Sequence, residues 1–149
     1  ARITKSGNQA LSTTTTHVTG WSVNRDTHGG WDATNNRYVI PVTGWYDYGS
    51  FFTLTSNSGS YGNLASTDNG TFDFFGNYVV SDRVGSSTLA FFTAGQHIRP
   101  GVFSSASTGT VVGGASFFWI AMRSGPAQIA ASETVAAVYK SAAGQSIGT

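Results

Sequence analysis

Two stretches of this chain put large apolar rings on both sides of a β-strand, and nothing else in the sequence limits the fold as much. In Trp45 to Leu54, WYDYGSFFTL, alternation sets Tyr46, Tyr48, Ser50, Phe52 and Leu54 on one face and Trp45, Asp47, Gly49, Phe51 and Thr53 on the other. In Ser116 to Met122, SFFWIAM, Phe117, Trp119 and Ala121 oppose Phe118, Ile120 and Met122. An antiparallel strand with one wet face alternates apolar with polar. A strand that is apolar on both sides needs two covers: the domain's own core on one side and a further layer on the other, most simply a second copy of the chain, otherwise a loop or the C-terminal tail. Parity alone leaves open which set turns inward.

The segment before the first of these strands is its natural partner. Arg37 to Val42 is rich in β-branched and aromatic residues, opens on the turn pair Asn35-Asn36, and has Pro41 near its end. Only Thr43-Gly44 separates it from Trp45, which predicts two strands hinged at a tight corner. Further strands are expected at His17 to Val23, at Ser87 to Phe92, at His97 to Ser104 with Pro100-Gly101 interrupting it, and as a hairpin around Gly76-Asn77 within Phe72 to Val80. Asn24 to Asp32 and Asn57 to Gly70 read as loops, the second with room for one short strand, and Gly109 to Gly114 as a loop around Val111-Val112.

Three segments result. Residues 1–16, polar and ending in four threonines, read as an extended N-terminal arm, and residues 17–124 as the folded domain. Residues 125–149 are Ala-rich and read as a C-terminal arm or the start of a further module. An arm with a strand at Thr134 to Lys140 is preferred there to a helix bearing Ile129, Val135, Val138 and Tyr139. KSGNQALST from Lys5 and KSAAGQSIGT from Lys140 echo each other, as successive copies in a tandem array would.

Composition agrees and excludes. With 19 glycines, 13% aromatic and only 10% charged residues in 149, the chain suits short antiparallel strands joined by small-residue turns, an all-β sandwich or barrel. A net charge of +1 without any Lys/Arg cluster argues against nucleic acid as a partner. The absence of cysteine removes disulfides, thiol catalysis and Cys-based zinc sites. No apolar run approaches the roughly 20 residues of a membrane span, and the first residues lack the basic and apolar regions of a signal peptide.

Catalytic patterns are missing as well: there is no GxSxG elbow, no HExxH pair and no phosphate-cradling GxxxxGK[ST] loop. Asp68 and Asp73 flank the Asn69-Gly70 turn and read as turn chemistry rather than a hydrolytic pair. Asp26, His28 and Asp32 form the densest polar group. Two carboxylates and an imidazole are metal-ligating types, but loops also use such aspartates to bond their own backbone, and that is the use expected here. Catalytic, cofactor and metal sites are accordingly expected to be none. His17 and His97 read as structural, His97 with a place near a subunit axis.

The run NNRYVIPVTGWYDYGSFF resembles the signature of the C1q and tumour-necrosis-factor-like jelly roll, in which an aromatic strand meets Pro, then Gly-x-Tyr, then a second aromatic strand. STLAFFTAGQHIRP is similar to that family's late Leu-x-x-Gly-Asp turn, with Gln96 where Asp is usual, and SFFWIAM to its final strand. The loop NRDTHGGWD and the tail from Ser124 resemble versions found in bacteriophage virion proteins of the head-fibre, capsid-decoration and tail-fibre types. The resemblance implies an antiparallel jelly-roll β-sandwich forming a homotrimer around a three-fold axis. It makes Trp45, Phe51, Phe117 and Trp119 the candidates for the inter-subunit face.

Two functions are expected from this. The first is a structural virion protein, a trimeric knob on the capsid surface whose terminal arms fasten it to the major capsid protein or an adjacent virion protein, which sets its location as the virion surface. The alternative is a tail-fibre receptor-binding module that recognises host surface polysaccharide through Trp31, Tyr61 and Tyr78, rings suited to stacking on sugar faces.

Overall fold

The computed structural model describes residues 1–55, 61–66, 72–74, 82–105 and 109–124, with backbone alone for 61–66, 72–74 and 124. Its strands are β1 (Arg2–Lys5), β2 (Gln9–Ala10), β3 (Thr15–His17), β4 (Trp21–Arg25), β5 (Trp31–Asp32), β6 (Arg37–Val39) and β7 (Gly44–Thr55). They continue as β8 (Tyr61–Ser66), β9 (Phe72–Phe74), β10 (Arg83–Phe92), β11 (His97–Ser104), β12 (Thr110–Val111) and β13 (Phe117–Ser124). No helix occurs among the described residues.

The strands form two antiparallel sheets. The first runs β2-β12-β7-β13-β1-β4, with β10 on the other edge of β7. The second runs β5-β6-β11-β8-β9, with β3 also on β11. Between them lies an apolar core in which Ile3, Phe52, Ile98, Val102 and Phe118 are fully buried. This is the predicted sandwich, an antiparallel all-β jelly roll whose chain crosses repeatedly from one layer to the other.

The hinge forms where the sequence places it. The β5–β6 hairpin closes through Asn35-Asn36, with Asn36 in the left-handed region at φ 52°, a conformation that asparagine tolerates better than most residues. β6 ends before Pro41, and the Tyr46 hydroxyl donates to the Val42 carbonyl at 2.6 Å, fixing the corner from which β7 departs. The turn after β10 is capped by Gln96, whose side-chain oxygen accepts the Thr93 N–H at 2.7 Å. A neutral amide therefore supplies the acceptor at this turn.

Residues 1–16 are extended, as expected, but they do not stand apart from the domain. β1 is an interior strand, paired to β13 on one side and β4 on the other. Its Ile3 is fully buried, and Leu11, which follows β2, is buried too. Those two side chains tie down a segment whose composition otherwise reads as solvated, so the folded unit reaches back to the first residues. Lys5 is buried with them, and loss of hydration lowers its pKa. The predicted strand at His17 to Val23 is two strands, parted by a bend at Gly20 (φ 66°) and assigned to different sheets. The segment read as a loop at Gly109 to Gly114 contributes β12, and the long loop holds β8. The hairpin at Gly76-Asn77 and the whole of 125–149 lie outside the described residues.

Candidate functional site

The site is the outer face of the first sheet. Register aligns rows of residues across β13, β7 and β10: Phe117 with Phe51 and Gly85, Trp119 with Gly49 and Ser87, Ala121 with Asp47 and Leu89, and Trp45 with Phe91. The residues alternating with these fill the core, where Tyr46, Tyr48, Phe52, Leu54, Phe118 and Ile120 are each 3% exposed or less. The parity that the sequence leaves open is thus resolved, and all four candidates share the outer face. Trp45, Leu89 and Phe91 are 46%, 55% and 53% exposed, a dense group of large apolar side chains in contact with water. Phe51, Phe117 and Trp119 are half-buried.

Two glycines let these rings lie flat. A Cβ on Gly49 would come within 2.5 Å of the Trp119 ring, and one on Gly85 within 2.7 Å of Cδ2 of Phe51. Each ring therefore rests on bare backbone. The rings also order one another: Phe51 and Phe117 stack with centroids 5.4 Å apart, Trp119 lies 5.8 Å from Phe117, and Trp45 meets Phe91 edge-on at 5.6 Å. Such pairs contribute about 0.5–1.5 kcal/mol beyond their buried area. The rings of this face are held in place by one another.

Its charges are matched. Arg123 donates to Asp47 at 2.6 Å, and the Arg2 guanidinium sits 4.9 Å above the Phe117 ring. Sequence reasoning set Asp47 and Gly49 on this face of β7 without giving them a role, and missed Gly85, Leu89, Phe91 and Arg2 as parts of the surface. A signal existed for several of them, since glycine inside a strand marks a close approach and Leu89 and Phe91 repeat with period two.

The other sequence candidates fall elsewhere. Trp31 is half-buried, with its ring 6.4 Å from Trp21 and 6.3 Å from Phe118, so it is seated against the core. Tyr61 opens β8, and Tyr78 lies outside the described residues. Asp26 accepts the backbone N–H groups of His28 at 3.2 Å and Trp31 at 2.8 Å. Asp32 accepts from the side chain and backbone of Asn35 and from Arg37 at 3.0 Å, which together hold its pKa down at about 2. These carboxylates serve their own loop and its hairpin. Among the described residues no group of three or more His, Asp or Glu is placed to hold a metal. His97 belongs to β11 in the second sheet, not to the sheet that carries the aromatic face.

No family model matches the chain, and no curated protein matches it in sequence. Among solved structures it is similar to the crystal structure of murine APRIL at pH 8.0, with a TM-score of 0.63 at 13% identity, covering 81% of this chain and 95% of that one. It also aligns with the structure of Eiger TNF from S. frugiperda, with a TM-score of 0.48 at 12% identity over 85% of this chain and 96% of that one. At such identity a likeness speaks for the backbone and not for the activity. The two-sheet topology and the match to APRIL agree on one conclusion, that this chain is built as a tumour-necrosis-factor-like jelly roll.

Proposed function

We propose that the protein is a structural component of a bacteriophage virion, a homotrimeric knob on the capsid surface whose subunits meet through the outer aromatic face of the first sheet. The observation that carries the self-association is that face: Trp45, Phe91, Leu89, Phe51, Phe117 and Trp119 stand together on a surface that no other described part of the chain covers. Aromatic residues are enriched at subunit interfaces, and the charges on this face are already paired or seated on a ring. Trimer and virion are what the resemblance of the hinge, the Asp26 loop and the tail implies.

Attachment to the shell falls to residues 125–149, because the N-terminal segment is already engaged in the sheet. The test is co-sedimentation with virus shells of the full chain and of a chain ending at Ser124. The full chain is expected to pellet with shells, and the shortened chain to remain a folded trimer in the supernatant. A shortened chain that still decorates shells, or a full chain that never does, contradicts the proposal. Recognition of polysaccharide has less support, since Trp31, the one of its three rings whose side chain is described, is packed against Trp21 and Phe118.

A further inference from the structure

The outer side of the second sheet gathers two basic side chains at one place. In β11, Ile98 and Val102 fill the core, so alternation puts Arg99 and Gly101 on the opposite side. β3 pairs there in antiparallel register and sets His17 opposite Gly101. Arg99 and His17 thus flank a position that carries no side chain. Their proximity shows in the titration of His17, which is lowered first by burial and then by the positive charge of Arg99.

Three other arginines have partners. Arg37 bonds Asp32, Arg123 bonds Asp47, and Arg2 lies over Phe117. Arg99 is half-buried, and its Nε–H is shut off from solvent and meets no acceptor among the described residues. A buried donor left unbonded is unfavourable, and more so on a charged group. Nothing at the adjoining register positions answers it with a carboxylate, because Ser66 stands opposite Arg99, Leu64 opposite Gly101 and Val39 opposite His97. His97, also on this side of β11, adds a third basic group.

We propose that Arg99 and His17, flanking Gly101, form a binding site for a single oxyanion, the carboxylate or phosphate group of a small ligand. The guanidinium presents its donors in a fixed fork that matches two oxygens of such a group. The anion meets the part of the Arg99 guanidinium that its half-exposure leaves open, and His17 becomes a second charged donor on protonation. Anion and proton then bind with mutual support, so affinity rises as pH falls through the titration of His17.

The experiment is nuclear magnetic resonance on the full chain, following the histidine imidazoles during titration with inorganic phosphate in one series and glucuronate in another, at constant ionic strength in chloride. A saturable shift of His17 is expected, with its titration midpoint moved to higher pH, while His28 on the Asp26 loop stays still. A response to phosphate alone or to glucuronate alone supports the site and names its anion. Arg99→Gln should abolish the response, and Arg99→Lys, which keeps the charge without the fork, should weaken it; dispersed spectra check that each variant is folded. Should Arg99→Gln fail to fold, Arg99→Lys decides, since undiminished affinity there removes the fork. A His17 resonance unmoved by both anions, a response unchanged in Arg99→Gln, or an equal shift of His28 overturns the proposal.

Discussion

Gly49 shows how much one residue decides. It is buried in the middle of β7, where glycine is ordinarily unfavourable, and it is there because the Trp119 ring and the Ser86 carbonyl occupy the space a side chain would need. The Ser86 carbonyl is backbone and has no rotamer by which to escape. Gly49→Ala is therefore expected to destabilise by about 1–3 kcal/mol, the usual range for overpacking, measured by chemical denaturation; an unchanged midpoint would show that the sheet yields. His17 sets a pH dependence. Its pKa lies below the ordinary 6.5 because burial and Arg99 oppose its charge, so unfolding takes up a proton that the fold resists. Its contribution is present above about pH 6.5 and lost as pH falls through the lower folded value. Denaturation midpoints followed downward from pH 7 should fall less steeply in His17→Gln than in the unaltered chain, and equal slopes would contradict the assignment. Tyr38 acts at the other end. Burial first, then the charge of Asp26, raises its pKa from 10.0 to about 12, so its share of stability is complete below pH 10 and lost as pH climbs towards 12.

The elements differ in how plainly the sequence announces them. β7, β11 and β13 were legible because each runs over eight residues or more, and β7 and β13 are dense in aromatic residues. Short strands carry too few residues to show a period: β12 is two residues long, and β3 and β4 are parted only by the bend at Gly20. The N-terminal strand was illegible for another reason. Apolar content is the signal for a core strand, and within residues 1–16 Ile3 and Leu11 are the only large apolar side chains. β1 owes its place to backbone pairing with two neighbours, and pairing leaves no mark on composition. Of the candidate site, Trp45, Phe51, Phe117 and Trp119 could be named from parity, but their union with Leu89 and Phe91 depends on β10 lying beside β7, a long-range register that no local pattern states. Deleting residues 1–5 is expected to abolish cooperative unfolding, since it exposes the edges of β13 and β4 together. Ile3→Ala should cost about 2–5 kcal/mol, the range for emptying a buried aliphatic site, and a cost below 1 kcal/mol would mean that β1 is not part of the core.

At the scale of the whole molecule, a tumour-necrosis-factor-like sandwich keeps its core between two sheets and leaves an organised aromatic surface outside it. The rings on that surface are oriented by one another and by glycines, and the Asp47–Arg123 pair balances charge among them. A face held ready in this way loses little side-chain freedom on association. Trp119→Glu puts a charge on that face without touching the core, so it should leave the fold intact and shift the assembly towards single subunits; a Trp119→Glu chain with unchanged mass would place the interface elsewhere. The most direct measurement is the molar mass of the unaltered chain in solution by light scattering. A mass near three times 15.6 kDa is the expected result, and its loss in Trp119→Glu would locate the shared surface on the aromatic face. A mass of 15.6 kDa that persists across concentration would contradict it, leaving the jelly roll in place and the trimer withdrawn.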